Sequence, residues 1–265
     1  MKQDDRVSFD QALGRARRSA YRPGEYVEQE SFMRGPEILS LAVRAGIAPG
    51  VSVLDLCCGV AGPGRFITSE LGCTYLGVDS SAAAIEIAQE RARDLPCRFE
   101  VARIPPVPSG LFDVVLLLET LLAFSDKESL LRQISSALPV GGRFAFTVEE
   151  GPPLTEAERA IMPDADTVWL LPLPQLFSCL ERVGLHVTWV GECSRLHQEM
   201  VDALIDGFVA EQDSITADLG SSRAVDELLA AHRLWSDWLS EGRVRKFTCV
   251  AEKIDIHTGQ STTGQ

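Results

Sequence analysis

The stretch that most constrains this chain is Val51-Ser-Val-Leu-Asp-Leu-Cys-Cys-Gly-Val-Ala-Gly-Pro-Gly-Arg-Phe-Ile67. Its first six residues favour a β-strand, its middle is packed with small residues, and Arg65-Phe66-Ile67 begins a helix. A strand that turns this tightly into a helix aims several backbone N–H groups and the positive helix end at one spot, where a polar or anionic group can rest. The glycines let that group approach the backbone. Asp55 stands at the strand's carboxyl end, and Asp79 closes the next apolar strand, residues 75–79. A carboxylate placed there can accept both hydrogen bonds of a ribose diol.

An acidic residue about 20 positions beyond a glycine turn is also the spacing of a dinucleotide fingerprint. The letters differ: Gly59-Val-Ala-Gly62-Pro-Gly64 is not G-x-G-x-x-G, and Cys57 stands where a first glycine belongs. Residues 36–252 instead resemble the class I S-adenosylmethionine (SAM)-dependent methyltransferases, whose first motif runs hydrophobic-Asp-hydrophobic-Gly-Cys-Gly-x-Gly. Four landmarks in order carry the resemblance: the glycine turn, Asp79, Leu118-Glu119 and the strand after Gly141-Gly142.

The resemblance implies an α/β fold, a doubly wound, mostly parallel, seven-stranded sheet of Rossmann-like methyltransferase type with a helical lid, and SAM as cofactor. It places Asp55 and the backbone of Cys57, Cys58, Gly59, Ala61 and Gly62 at the methionine part, and Asp79 with Ser80 at the ribose. Ala102 and Arg103 border the adenine, and Leu118 and Glu119 face the methionine end or the acceptor. By the same analogy Tyr26 and Gln29 belong to a segment that folds over the cofactor. One departure stands out: the family's Asp-Ala pair at the adenine edge is replaced, with Val101 or Ala102 in the acidic place. Main chain and apolar walls such as Ile104 then have to serve the adenine.

The remaining elements follow in order. Residues 1–35 read as an N-terminal cap, of which 1–20 form a loosely docked helix, and 36–256 as the methyltransferase domain. Helices are expected at 36–46, 80–94, 127–138 and 176–183, and strands at 97–101, 112–118, 143–148 and 186–190. Two insertions, 151–174 and 195–241, read as substrate lid; the second holds helices 196–210 and 222–240 before a last strand at 245–252. Residues 257–265 are Gly/Ser/Thr/Gln-rich and read as a disordered tail.

Charge and cysteines bound the partners. The net charge is −13 with Lys and Arg scattered, which removes the driving force for binding a phosphate backbone. The seven cysteines show no C-x-x-C or Cys/His ligand spacing and read as reduced thiols without a metal. No apolar stretch reaches membrane-spanning length. The expectation is a cytoplasmic monomer or homodimer acting on a small molecule, away from nucleic acid and membrane.

Methyl transfer from a sulfonium is an in-line displacement, so alignment matters most and a general base helps where the acceptor must lose a proton. Base candidates are Glu149 and Glu150 at a strand end, of which alternation turns only one inward, and then His197 and His232 on the inserted helices. Trp169, His232 and Trp235 are the acceptor-pocket candidates, although His232 lies within an apolar stripe, where a satisfied core histidine is the first reading. They point to an apolar or aromatic acceptor methylated on C, N or O, as in natural-product-modifying enzymes of secondary metabolism. A prenyl diphosphate would further need basic groups such as Arg22, Arg195 and Arg233. A catalytically silent SAM-binding protein and an NAD-dependent oxidoreductase are the alternative readings.

Overall fold

The computed structural model describes residues 12–255, so the expectations for residues 1–11 and for the tail at 257–265 lie outside the described residues. Seven strands form one sheet: β1 Ser52–Leu56, β2 Thr74–Asp79, β3 Cys97–Val101, β4 Val114–Leu117, β5 Arg143–Glu150, β6 Leu185–Glu192 and β7 Arg245–Lys253. Their order is β3-β2-β1-β4-β5-β7-β6. The first five run parallel, and β7 is antiparallel to both β5 and β6. The doubly wound, mostly parallel architecture expected from the sequence is present.

Helices cover both faces, which is why the central strands read as unbroken apolar runs. Leu54 and Leu56 of β1 and Val115 and Leu117 of β4 pack with Leu130 and Ile134 of the helix Lys127–Ser136 and with Leu176 of the helix Leu173–Arg182. Val53, Val114 and Leu116 face the other way, onto Ile38 and Leu41 of the helix Gly35–Arg44 and Ile67 of the helix Gly62–Leu71. The two-residue period of the strands sorts the core into these two layers. Ser81 caps the helix Ala82–Arg91 by accepting the Ala84 N–H, so that helix begins two residues later than its apolar pattern suggests.

The sheet also fixes where a ligand belongs. From β1 the chain moves to β2 on one side, while β4 lies on the other. The crevice at this reversal, beyond the carboxyl ends of the strands, is where open α/β sheets bind ligands.

The N-terminal helix corrects the sequence reading. Its described part, Ala12–Ala20, is docked firmly against the inserted helix Ser194–Ala210: a Cβ on Gly207 would lie 2.6 Å from the Ala16 carbonyl oxygen. Buried Ala12 and Ala16 make this approach possible, and small residues of this kind do not register as apolar anchors. The second insertion holds three helices rather than two, with Gln212–Leu219 between Ser194–Ala210 and Ser222–Ser240. The first contains a short helix, Glu156–Ile161, started by a Thr155/Glu158 capping box and pinned by Arg243 at 2.5 Å from Glu158.

Candidate active site

A cavity of about 260 Å³ opens at the reversal point, lined by Asp55, Cys57, Cys58, Gly59, Asp79 and Glu119 among others. Asp79 is held in place by its own turn: the Gly59 N–H donates to Oδ2 at 2.9 Å and the Ser81 N–H to Oδ1 at 2.8 Å. Each oxygen keeps lone-pair capacity for a second donor, as a diol-binding carboxylate requires. Asp55 lies deeper and accepts the Tyr75 hydroxyl at 2.6 Å. Burial pushes its carboxyl up to about 7, against the Tyr75 hydrogen bond and with the Asp79 charge adding. The glycine run serves this packing as well as the ligand, because a Cβ on Gly64 would overlap the Tyr75 ring.

Four non-glycine residues in or beside the cavity hold left-handed backbone: Glu28 at φ 62°, Cys57 at 60°, Ala61 at 55° and Glu119 at 62°. Such strain gathers where the surrounding fold overrides local preference, often at binding sites. At Cys57 it explains why the related motif carries glycine there.

The second wall is a strap, residues 21–34, laid across the glycine turn. A Cβ on Gly62 would overlap the Val27 carbonyl oxygen, so strap and turn are in direct contact. Glu28 pairs with Arg65 and, at 3.2 Å, with Arg91; Glu30 pairs with Arg17 at 3.0 Å. Gln29 is buried and knits the strap internally, accepting the Val27 N–H at 2.6 Å and donating to the Met33 carbonyl at 2.7 Å. Ser31 Oγ lines the cavity, is buried and has no hydrogen-bond partner, which leaves a polar atom for a ligand.

A second cavity of about 340 Å³ adjoins the first through Glu30, Ser31 and Glu119. Its walls are mixed: Phe32, Met162, Val168 and Trp235 on the apolar side, Glu149 and Asp164 on the acidic side, with His232 between. The His232 Nδ1 lies 2.8 Å from the Leu228 carbonyl, which fixes the proton on Nδ1 because a carbonyl only accepts.

Beneath this floor lies a buried charge cluster that the sequence did not reveal. Lys246 is 0% exposed, with its ammonium 2.6 Å from Glu119 Oε1 and in contact with Glu149 Oε1. Burial alone would depress the Lys246 ammonium, but the Glu119 and Glu149 charges overcome it and raise it above the ordinary lysine range. His197, buried at 4% exposure, stands edge-on to Phe32. Burial holds its imidazole down at about 3, with the Lys246 charge adding and Glu149 opposing. Glu119, Glu149 and His197 bring one ligating atom each within 4.8 Å of one another, a spacing that a metal could bridge. Lys246 already sits on both carboxylates, so the cation of this cluster is the lysine.

The structure divides the sequence-expected residues. Asp55, Cys57, Cys58, Gly59, Gly62, Asp79, Leu118 and Glu119 line the first cavity, and Glu149, His232 and Trp235 the second. Ala61, Ser80, Ala102 and Arg103 line neither; the Ala102 N–H is taken up by the Asp79 carbonyl at 2.9 Å. Tyr26 turns to the outer face of the strap, against Tyr21 and beneath Arg18. Its neighbours Glu28, Gln29, Glu30 and Ser31 line the cavity instead. Glu150 turns away from the cavities, paired with Arg245 at 2.6 Å and accepting the Leu173 N–H at 3.1 Å. Trp169 also faces elsewhere, 38% exposed, with Arg159 over its ring. His197 lies beside Glu149 without lining either cavity. Among the described residues, no helix is long and apolar enough to cross a membrane.

Residues 53–142, which hold the turn and Asp79, match the family model described as a methyltransferase domain. That span is a methyltransferase domain, similar to those of the class I, SAM-dependent enzymes. The family uses SAM, and Cys57 and Asp79 both fall within the matched span. Phosphoethanolamine N-methyltransferase 3 of Arabidopsis thaliana is 33% identical over 105 residues, 38% of this chain and 21% of that protein. Methyltransferase GfsG of Streptomyces halstedii is 30% identical over 109 residues, 39% of this chain and 39% of that protein. The chain thus spans about a fifth of the length of the plant relative and two-fifths of the bacterial one. Among solved structures, mycolic acid cyclopropane synthase CmaA1 complexed with S-adenosylhomocysteine (SAH) superposes with a TM-score of 0.79 at 14% identity, covering 95% of this chain and 99% of that one. That likeness is one of fold.

Proposed function

We propose that the protein transfers a methyl group from SAM to a small, apolar or aromatic acceptor. The observation that carries this reading is the pair of adjoining cavities: a family-type nucleotide site and a mixed apolar pocket meet at Glu30, Ser31 and Glu119. When bound, SAM supplies a methyl group on a sulfonium that departs without needing a proton.

The chain's own residues do the rest. Asp79 would take the ribose hydroxyls, and Asp55 with the turn backbone from Cys57 to Gly62 the methionine part. Ser31 is a further donor or acceptor from the strap. Glu119 stands between the cavities and ties strap to sheet, its Oε2 3.5 Å from the Phe32 N–H and its own N–H on Thr147 Oγ1 at 2.6 Å. Holding two reactants in line accounts for much of the acceleration such a site can give. Of the two strand-end acids, Glu149 is the general-base candidate, and the strap with the Met162–Val168 segment excludes water from the acceptor.

The test is methyl incorporation from labelled SAM into a panel of small aromatic and apolar acceptors, alongside Asp79→Ala. Turnover that is lost in the variant supports transfer. SAM binding with no turnover across the panel would favour a catalytically silent SAM-binding protein.

A further inference from the structure

We infer that the acceptor presents a protonated amine, carried on an apolar or aromatic body, to the carboxylates of the second cavity. The inference rests on the methyltransferase reading above and names the acceptor's chemical class.

The charge around the cavity is one-sided. Glu30, Glu119, Glu149 and Asp164 all line it, and among the described residues no lysine or arginine does. Behind the lining, Arg17 pairs with Glu30, and Lys246 is shared by Glu119 and Glu149. Among the described residues one lysine serves both Glu119 and Glu149 and no basic side chain pairs with Asp164, so this side of the pocket is negative. A phosphate, diphosphate or carboxylate on the acceptor would enter against this field without a partner to receive it.

The uncompensated charge has a definite place. Glu149 gives one oxygen to Lys246, while Oε2 is buried without a hydrogen-bond partner; His197 Nε2 nearby is likewise buried and unpartnered. A buried carboxylate oxygen left bare is costly, and a ligand N–H is the group that would satisfy it. Lys246 reaches Glu119 Oε1 and Glu149 Oε1 and leaves Glu149 Oε2 unserved, so the cluster holds one acceptor open to a further donor.

The remaining walls suit the rest of such a molecule. Phe32 and Trp235 offer aromatic surface, which also favours a nearby ammonium, and Met162 and Val168 offer apolar surface. His232, with its proton on Nδ1, has only a lone pair to offer at Nε2. Before methyl transfer an ammonium has to become a neutral amine. Its proton passes to Glu149 Oε2, leaving the nitrogen lone pair free and the carboxyl neutral.

The inference is tested by calorimetric titration of the SAH-saturated protein with a series of arylalkylamines, beginning with 2-phenylethylamine, each beside its matched alcohol and carboxylate. The amines are expected to bind at least tenfold more tightly than the alcohols, with no detectable binding of the carboxylates. Glu149→Gln, which leaves Lys246 its partner Glu119, should erase the preference while SAH affinity stays within twofold. Because that variant alters a buried pair, Asp164→Asn is the second: it leaves the cluster intact, suits the left-handed backbone at φ 54°, and should weaken the amines several-fold and the alcohols not at all. Alcohols or carboxylates binding as tightly as the amines, or no amine binding to SAH-loaded protein, would overturn the inference. Failure of SAH itself to bind would instead remove the reading on which it rests.

Discussion

Asp55 and His197 are both buried, and burial moves them in opposite directions, so their effects on stability should cancel across a defined pH window. The Asp55 carboxyl rises from 3.8 to about 7. Between those values the folded chain keeps a proton that the unfolded chain has released, so the contribution is complete below about pH 4 and lost as pH climbs through 7. The His197 imidazole falls from 6.5 to about 3. There the folded chain lacks a proton that the unfolded chain binds, so stability is present above 6.5 and lost as pH falls. Each group contributes a slope of about 1.4 kcal/mol per pH unit, with opposite signs, between about pH 4 and 6.5. Asp55→Asn should therefore make the unfolding free energy climb with pH relative to wild type, by about 3 kcal/mol across that window. His197→Gln should make it fall by a similar amount, and the double variant should return to the wild-type slope. Urea unfolding of the cofactor-free protein, followed by circular dichroism at several pH values with the m-value held constant, reads this directly. Stability curves that run parallel for all four proteins would refute the reasoning.

Three further perturbations address the site. Asp79→Ala removes the carboxylate that holds Gly59 and Ser81 and faces the cavity; SAH affinity in calorimetry should fall about a hundredfold or more, and a loss under fivefold would contradict the ribose assignment. Glu28→Gln releases the strap from Arg65 and Arg91; SAH dissociation in stopped flow should accelerate about fivefold while the melting temperature falls by no more than about 4 °C, as partly exposed ion pairs of about 1 kcal/mol imply. Cys57→Gly relieves left-handed strain and should stabilise the protein by about 1 kcal/mol in chemical denaturation; marked destabilisation would show that the Cys57 thiol packing outweighs the strain.

Features made of neighbouring residues were legible in the sequence, and features made across the sheet were not. The turn from Asp55 to Gly64 and the acid at Asp79 are local, so their spacing carried both the fold and most of the first cavity. The Lys246 cluster depends on antiparallel register, which sets Lys246 opposite Glu149 and Arg245 opposite Glu150. Cross-strand partners share a face, so this register also decides that Glu149 turns inward and Glu150 outward. The dipeptides Glu149-Glu150 and Arg245-Lys246 carried the signal, but it becomes readable only once the strands are paired. Aromatic residues misled for a related reason. Tyr26 and Trp169 looked like lid surface, yet each is engaged locally, Tyr26 against Tyr21 and Trp169 through its indole N–H on the Asp166 carbonyl at 2.9 Å. The polar residues of the strap, with no periodic pattern to mark them, line the cavity in Tyr26's place.

The measurement that bears most directly on the central claim is calorimetric titration of the purified protein with SAM and SAH beside NADH, on wild type and Asp79→Ala. Binding of both sulfur nucleosides, absent for NADH and lost with the carboxylate, is the result predicted by the turn, the acid and the adjoining cavity. NADH binding without SAH binding would contradict it.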